Sequence, residues 1–193
     1  MSENKPIEVG SFAPDFTLKN QKGEELSLDS FKGKNVILSF HPLAWTSVCR
    51  DQMLDLDRHF ELFAKMNTVP LGLSVDSVPS KTAWAESIGL KNLPILADFW
   101  PHGAVAKSLG IFREKHGFSE RANVIVNGDG AVIFVKVYPI KQLPDIDEIV
   151  AFVREYHETA VDGNVDVQHC VKAEKGPVCV DDGRNKGINA TGE

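Results

Sequence analysis

Apolar residues along the chain change period several times, and each change predicts an element. Asp15-Phe16-Thr17-Leu18 and Leu26-Ser27-Leu28 flank a polar turn at Gly23 and read as two short strands. Asn35 to Phe40 is an almost unbroken apolar run with β-branched members, the pattern of a strand covered on both faces. Cys49, Met53, Leu56, Phe60 and Phe63 then recur at spacings of four and three, which places them on one face of a single helix, with Cys49 in its first turn. Val69 to Val75 is a second apolar strand. Ser77 and Pro79 open a helix that ends near Gly89.

Pro94 to Asp98 gives a further short strand, and Gly103 to Leu109 a helix closed by Gly110. Asn123 to Asn127 turns at Gly128-Asp129-Gly130 into Ala131 to Tyr138, a hairpin. Asp145 to His157, behind Pro144, carries Ile146, Ile149, Val150, Phe152 and Val153 at helical spacing. Strands interleaved with helices, then a hairpin and a closing helix, predict a mixed β-sheet flanked by helices, an α/β class satisfied by the thioredoxin-like fold. The periodicity stops after His157, and Gly, Asn, Asp and Lys dominate from Glu174. The expectation is one domain over 5–160 and a C-terminal tail over 161–193, mobile at least in part.

Composition narrows the function. The 193 residues suffice for one full core, and 42% hydrophobic with 25% charged residues is the balance of a soluble globular chain. A net charge of -6 argues against a nucleic-acid partner, which would require clustered Lys and Arg. The polar start, Met1 to Gly10, has no signal-peptide pattern and no stretch reaches membrane-spanning length, so a cytoplasmic location is expected. Three cysteines in such a chain read as reactive thiols rather than a structural disulfide framework.

The stretch His41-Pro42-Leu43-Ala44-Trp45-Thr46-Ser47-Val48-Cys49 joins the buried strand to the amphipathic helix. A thiol in the first helical turn lies in the positive end of the helix dipole, near unpaired backbone N–H groups, which favours the thiolate. Thr46 stands where its hydroxyl reaches the helix start, and Pro42 fixes the loop and lacks an N–H. Each has an ordinary reading: a small buried thiol, a helix cap, a turn proline. Their joint spacing is what favours chemistry.

Pro42, Thr46 and Cys49 match the Pro-x-x-x-Thr-x-x-Cys motif of the peroxiredoxins, and the resemblance extends over about Val9 to His157, including the Asp98 to Gly103 run and Arg121 to Gly130. It implies a thiol-dependent peroxidase acting on hydrogen peroxide and organic hydroperoxides. Cys49 would be the peroxidatic nucleophile, oxidised to a sulfenic acid. Pro42 and Thr46 would shape the pocket, and Arg121, ahead of a late strand, would stabilise the thiolate and the leaving oxygen. The alternative for Arg121 is a solvated Ser119-Glu120-Arg121 patch. No cofactor or metal is implied. His169, Cys170 and Cys179 have no obvious fourth zinc ligand and fit no common metal spacing. His41 reads as a packing or shielding group, and Trp84 and Trp100 as core or interface aromatics.

The resemblance further implies recycling by a resolving cysteine or an external, thioredoxin-like thiol donor, and a homodimer or a ring of dimers. Cys170 lies at the distance from Cys49 expected of a resolving residue, whereas Cys179, in Gly176-Pro177-Val178-Cys179, has the more similar local context. The Asp98 to Gly103 run resembles the 1-Cys alkyl hydroperoxide reductase E group. Arg50 and Gln52 stand where 2-Cys enzymes carry Pro and Glu. Both recycling schemes stay open. A non-enzymatic alternative is a peroxide-sensing redox switch or holdase chaperone, whereas a thiol–disulfide oxidoreductase is disfavoured because Cys49 has no Cys-x-x-Cys partner.

Overall fold

The computed structural model describes residues 5–161 and two strands of the tail, 170–173 and 176–179. Elements follow in the order β1 (Thr17–Asn20), β2 (Glu25–Ser27), β3 (Asn35–Phe40), α1 (Ser47–Arg58), α2 (Phe60–Lys65), β4 (Thr68–Ser74), α3 (Val78–Ile88), β5 (Ile95–Ala97), α4 (Ala104–Ser108), β6 (Phe112–Arg113), β7 (Phe118–Ser119), β8 (Arg121–Val126), β9 (Val132–Tyr138), α5 (Ile146–Val161), β10 (Cys170–Ala173) and β11 (Gly176–Cys179). Seven strands form one mixed sheet in the order β2-β1-β5-β4-β3-β8-β9. β3, β4 and β5 run parallel, joined by helical crossovers, and β8 pairs antiparallel to β3 with Ser39 opposite Asn123. This is the thioredoxin-like arrangement expected of the sequence.

Strand alternation divides the core in two. Val36, Leu38 and Phe40 of β3, with Ala122, Val124 and Val126 of β8, pack on one face with Val105, Ala106 and Phe112. Ile37 and Ile125 face the other way, against Met53 and Leu56 of α1, Phe63 of α2, Trp84 of α3, and Ile149 and Val153 of α5. Because the side-chain period of a strand is two, Ser39 and His41 follow Ile37, and Arg121 and Asn123 precede Ile125, on the helix-covered second face. The polar residues at the ends of β3 and β8 are thereby carried under α1.

α1 approaches β4 closely at Gly72. A Cβ there would lie 2.4 Å from Met53 Sδ and 2.9 Å from Ile95 Cγ2, so the strand admits no side chain beneath the helix.

Three features depart from the sequence expectation. The helix predicted through Phe63 is two helices broken at His59, whose N–H and ring Nδ1 both donate to the Asp55 carbonyl, at 3.2 and 2.8 Å. Phe63 nevertheless stays on the buried face. A short β6–β7 hairpin precedes β8, and it buries Ser119 and Arg121 where a solvated patch was the alternative. Finally, the tail contains an antiparallel ribbon, β10–β11, with Cys170 opposite Cys179. The proposed domain boundary at 160 falls within α5, one residue short of its end at Val161.

Candidate active site

α1 begins where β3 ends, so its N-terminus sits over the carboxyl edge of the sheet. Its first ladder bond runs from the Arg50 N–H to the Thr46 carbonyl at 2.9 Å, leaving the N–H groups of Ser47, Val48 and Cys49 without helical acceptors. Cys49 is therefore held among unpaired donors at the positive helix end. It is fully buried.

Among the described residues, Arg121 is the one cation in hydrogen-bonding contact with the sulfur. Its Nη2 lies 3.4 Å from Cys49 Sγ although the residues are 72 apart in sequence. The guanidinium is almost completely buried and is fixed from two sides. Nε and Nη2 both donate to the Ile140 carbonyl, at 3.0 and 2.9 Å, and Nη1 donates to Gln52 Oε1. A guanidinium has five N–H donors. Four are engaged among the described residues, and the fifth, on Nη1, is left for a ligand.

Gln52, which the sequence marks only as a departure from a familiar pattern, joins the site through its contacts. Its amide nitrogen donates to Ser39 Oγ at 2.7 Å and to the Phe40 carbonyl at 3.2 Å, so it is itself held rigidly as it accepts from Arg121. Its signal in the sequence was the spacing of three from Cys49, which sets both on one helical face.

The loop between β3 and α1 places Pro42 in a buried position and leaves Thr46 exposed. Thr46 is the N-cap residue by backbone conformation, yet its hydroxyl donates to the Leu43 carbonyl at 3.3 Å instead of capping the helix. The capping expectation is corrected: the short loop folds back on itself and captures the hydroxyl. Trp45 adopts φ +66, a conformation that costs a non-glycine residue on the order of 1–3 kcal/mol. Two contacts hold the loop there: Ala44 N–H donates to Asp76 Oδ2 at 2.8 Å, and Trp45 Nε1 donates to Ser80 Oγ at 3.2 Å.

His41 is fully buried, its ring 5.2 Å from that of Trp84. Neither ring nitrogen has a partner of hydrogen-bond geometry. Burial above all, then the charges of Lys81 and Arg121, hold its pKa well below the usual imidazole range, with the Leu43 backbone opposing. A neutral packing imidazole matches the sequence reading. Trp84 is a core residue and Trp100 is exposed.

The structure thus brings Cys49, Arg121 and the Pro42–Thr46 loop to one place. Cys170 and Cys179 lie on β10 and β11, where they are register partners. His169 lies outside the described residues.

Comparison with known proteins agrees with this geometry. A sequence profile of the AhpC/TSA family matches residues 9–135. The chain is 37% identical to alkyl hydroperoxide reductase E of Mycobacterium tuberculosis over 68% of its own length and 86% of the relative's, and 32% identical to a peroxiredoxin of Thermoplasma volcanium over 77% and 74%. Among solved structures it resembles reduced 2-Cys peroxiredoxin of Plasmodium vivax, with a TM-score of 0.76 and 26% identity over 89% of this chain and 90% of that one. AhpC of Enterococcus faecalis gives a TM-score of 0.74 and 25% identity over 81% and 96%. A buried cysteine at a helix start, met by a fixed arginine on the neighbouring strand, together with these matches, establishes that the chain belongs to the AhpC/TSA family of peroxiredoxins, the thiol-dependent peroxidases.

Proposed function

We propose that this peroxidase reduces hydrogen peroxide and small organic hydroperoxides with Cys49 as the nucleophile. The observation that carries the reading is the 3.4 Å approach of Arg121 Nη2 to Cys49 Sγ in a buried site. In the reaction, the Cys49 thiolate attacks one peroxide oxygen; the S–O bond forms as the O–O bond breaks, and the departing oxygen leaves as water or an alcohol after taking up a proton. Cys49 becomes a sulfenic acid. Charge develops on the departing oxygen, and the remaining Nη1–H of Arg121 is the donor available to stabilise it. Thr46, whose hydroxyl is held among the described residues by one 3.3 Å bond to the Leu43 carbonyl, can turn toward the peroxide. Pro42 keeps the loop close without introducing a competing N–H.

The sulfenic acid returns to the thiol through Cys170, or alternatively Cys179, or directly through an external thioredoxin-like thiol. Since Cys49 has no exposed surface, a tail thiol reaches it only once the first turn of α1 opens. A homodimer, or a ring of dimers, is supported by the exposed aromatics Phe99 and Trp100. The second reading, a redox switch or holdase, uses the same oxidation of Cys49 without repeated turnover.

Peroxide-dependent oxidation of thioredoxin or dithiothreitol, measured for the wild type and for Cys49→Ser, Cys170→Ser and Cys179→Ser with nonreducing gels and intact mass, tests the reading. Loss of turnover in Cys49→Ser alone, with no disulfide formed, describes a 1-Cys enzyme; loss of a Cys49 disulfide in one tail variant names the resolving residue. Normal turnover by Cys49→Ser overturns the proposal, and a single turnover with ample reductant favours the switch.

A further inference from the structure

Lys81 on α3 is fully buried, a rare position for an ammonium group. Its Nζ makes one hydrogen bond among the described residues, to Ser74 Oγ at 2.7 Å. Ser74 donates onward to Asp76 Oδ2 at 2.7 Å, and the same carboxylate oxygen accepts the Ala44 N–H at 2.8 Å. A chain of three hydrogen bonds therefore runs from the buried lysine to the loop that carries Pro42 and Thr46. Ser80, beside Lys81, holds Trp45 of the same loop.

We propose that Lys81 is a positioning residue for the reaction at Cys49: its buried ammonium adds a second positive charge to the surroundings of the thiolate and, through Ser74 and Asp76, pins the Ala44 amide of the active-site loop. The inference rests on Cys49 being the nucleophile.

The charged groups around Lys81 come from every element packed on it. Asp76 after β4, Asp98 after β5 and Cys49 on α1 favour its protonation, in that order, but burial outweighs them and lowers its pKa to about 7. Across the cluster, Lys81 and, behind it, Arg121 press on the buried ring of His41, which stays neutral and so leaves the two cations without a third. Lys81 therefore changes charge near neutrality, and its help is present below about pH 7 and fades above it.

The test is the rate of peroxide reduction for the wild type, Lys81→Met and Lys81→Arg between pH 6 and 8.5. The ratio of wild type to Lys81→Met removes the pH dependence of groups that Lys81 does not touch and keeps what its charge does at Cys49. It is expected to be about tenfold at pH 6 and to fall severalfold by pH 8.5, down to the part left by the Ser74 hydrogen bond, which a neutral amine still donates and methionine cannot, while Lys81→Arg, charged throughout, restores the low-pH rate. A ratio that is constant across the range marks a merely structural lysine and overturns the proposal.

Should the variants misfold, the Lys81 side chain can be titrated by NMR in the wild type and in Cys49→Ser. Coupling is reciprocal, so removing the thiolate must lower the midpoint of Lys81. An unchanged midpoint overturns the proposal equally. Failure of the underlying reading would appear differently, as turnover by Cys49→Ser.

Discussion

Gln52 accepts a hydrogen bond from Arg121 Nη1 while its own amide nitrogen is held on Ser39 Oγ at 2.7 Å, so the guanidinium that meets Cys49 is aimed by a residue of the same helix as the thiol. One turn of α1 supplies both the sulfur and the acceptor that orients its cation. Truncating Gln52 to Ala frees Nη1 and leaves Ser39 without its donor. The expected result is a 10- to 100-fold loss, approximately, in the second-order rate with peroxide, with a destabilisation of about 1–3 kcal/mol in urea unfolding. Stopped-flow kinetics and denaturation of one sample separate the two effects.

Arg121→Lys is expected to behave as a severe substitution. An ammonium cannot at once reach the Ile140 carbonyl, Gln52 and Cys49, which the planar fork does at 2.9–3.4 Å for its contacts with Ile140 and the sulfur. A loss of about 100-fold or more in the peroxide rate is expected, read by the same assay. A rate within a few-fold of wild type would show that charge alone suffices.

Gly72→Ala tests the close approach of α1 to β4. The new methyl meets Met53 Sδ and Ile95 Cγ2, and overpacking of this kind costs about 1–3 kcal/mol. Met53→Ala, which opens a cavity in the wild type, is expected to cost less in the Gly72→Ala background, because it removes the clash. A double-mutant cycle by chemical denaturation reads the coupling.

Lys81 also makes a statement about stability. Its pKa is lowered from 10.5 to about 7 in the folded protein, so between these values the unfolded chain binds the extra proton and stability rises with pH. Below about pH 7 both states are protonated and the full penalty of a buried charge remains. Lys81→Met is accordingly expected to be more stable than wild type at pH 6, with the gap closing by up to about 1.4 kcal/mol per pH unit above neutrality. Unfolding at pH 6, 8 and 10 checks the sign: a gap that widens with pH contradicts it.

How legible these features were in the sequence depended on the range of the interaction behind each. β3 and the stripe from Cys49 through Met53 and Leu56 were readable because burial imposes a local period. Arg121 was ambiguous in its own window, where Ser119 and Glu120 are polar; the alternation Arg121, Asn123, Ile125 within β8 is what carries it under α1. The break at His59 has no glycine or proline to announce it, and the His59 ring, which joins its own N–H on the Asp55 carbonyl, leaves no periodic signal. Lys81 left no trace, because a buried lysine has the same letter as a solvated one. Its place depends on Ser74 and on the loop beyond it.

Antiparallel pairing of β3 with β8 has a consequence for the order of folding. β3 and α1 are neighbours in sequence, but Arg121 arrives only after about eighty residues of intervening chain have closed a long loop, a step that local contacts cannot replace. A nascent or partly unfolded chain that has already formed α1 consequently carries Cys49 without its guanidinium. The contact between Arg121 and Cys49 thus waits on a long-range pairing, and a chain that fails to form it holds the sulfur without its cation.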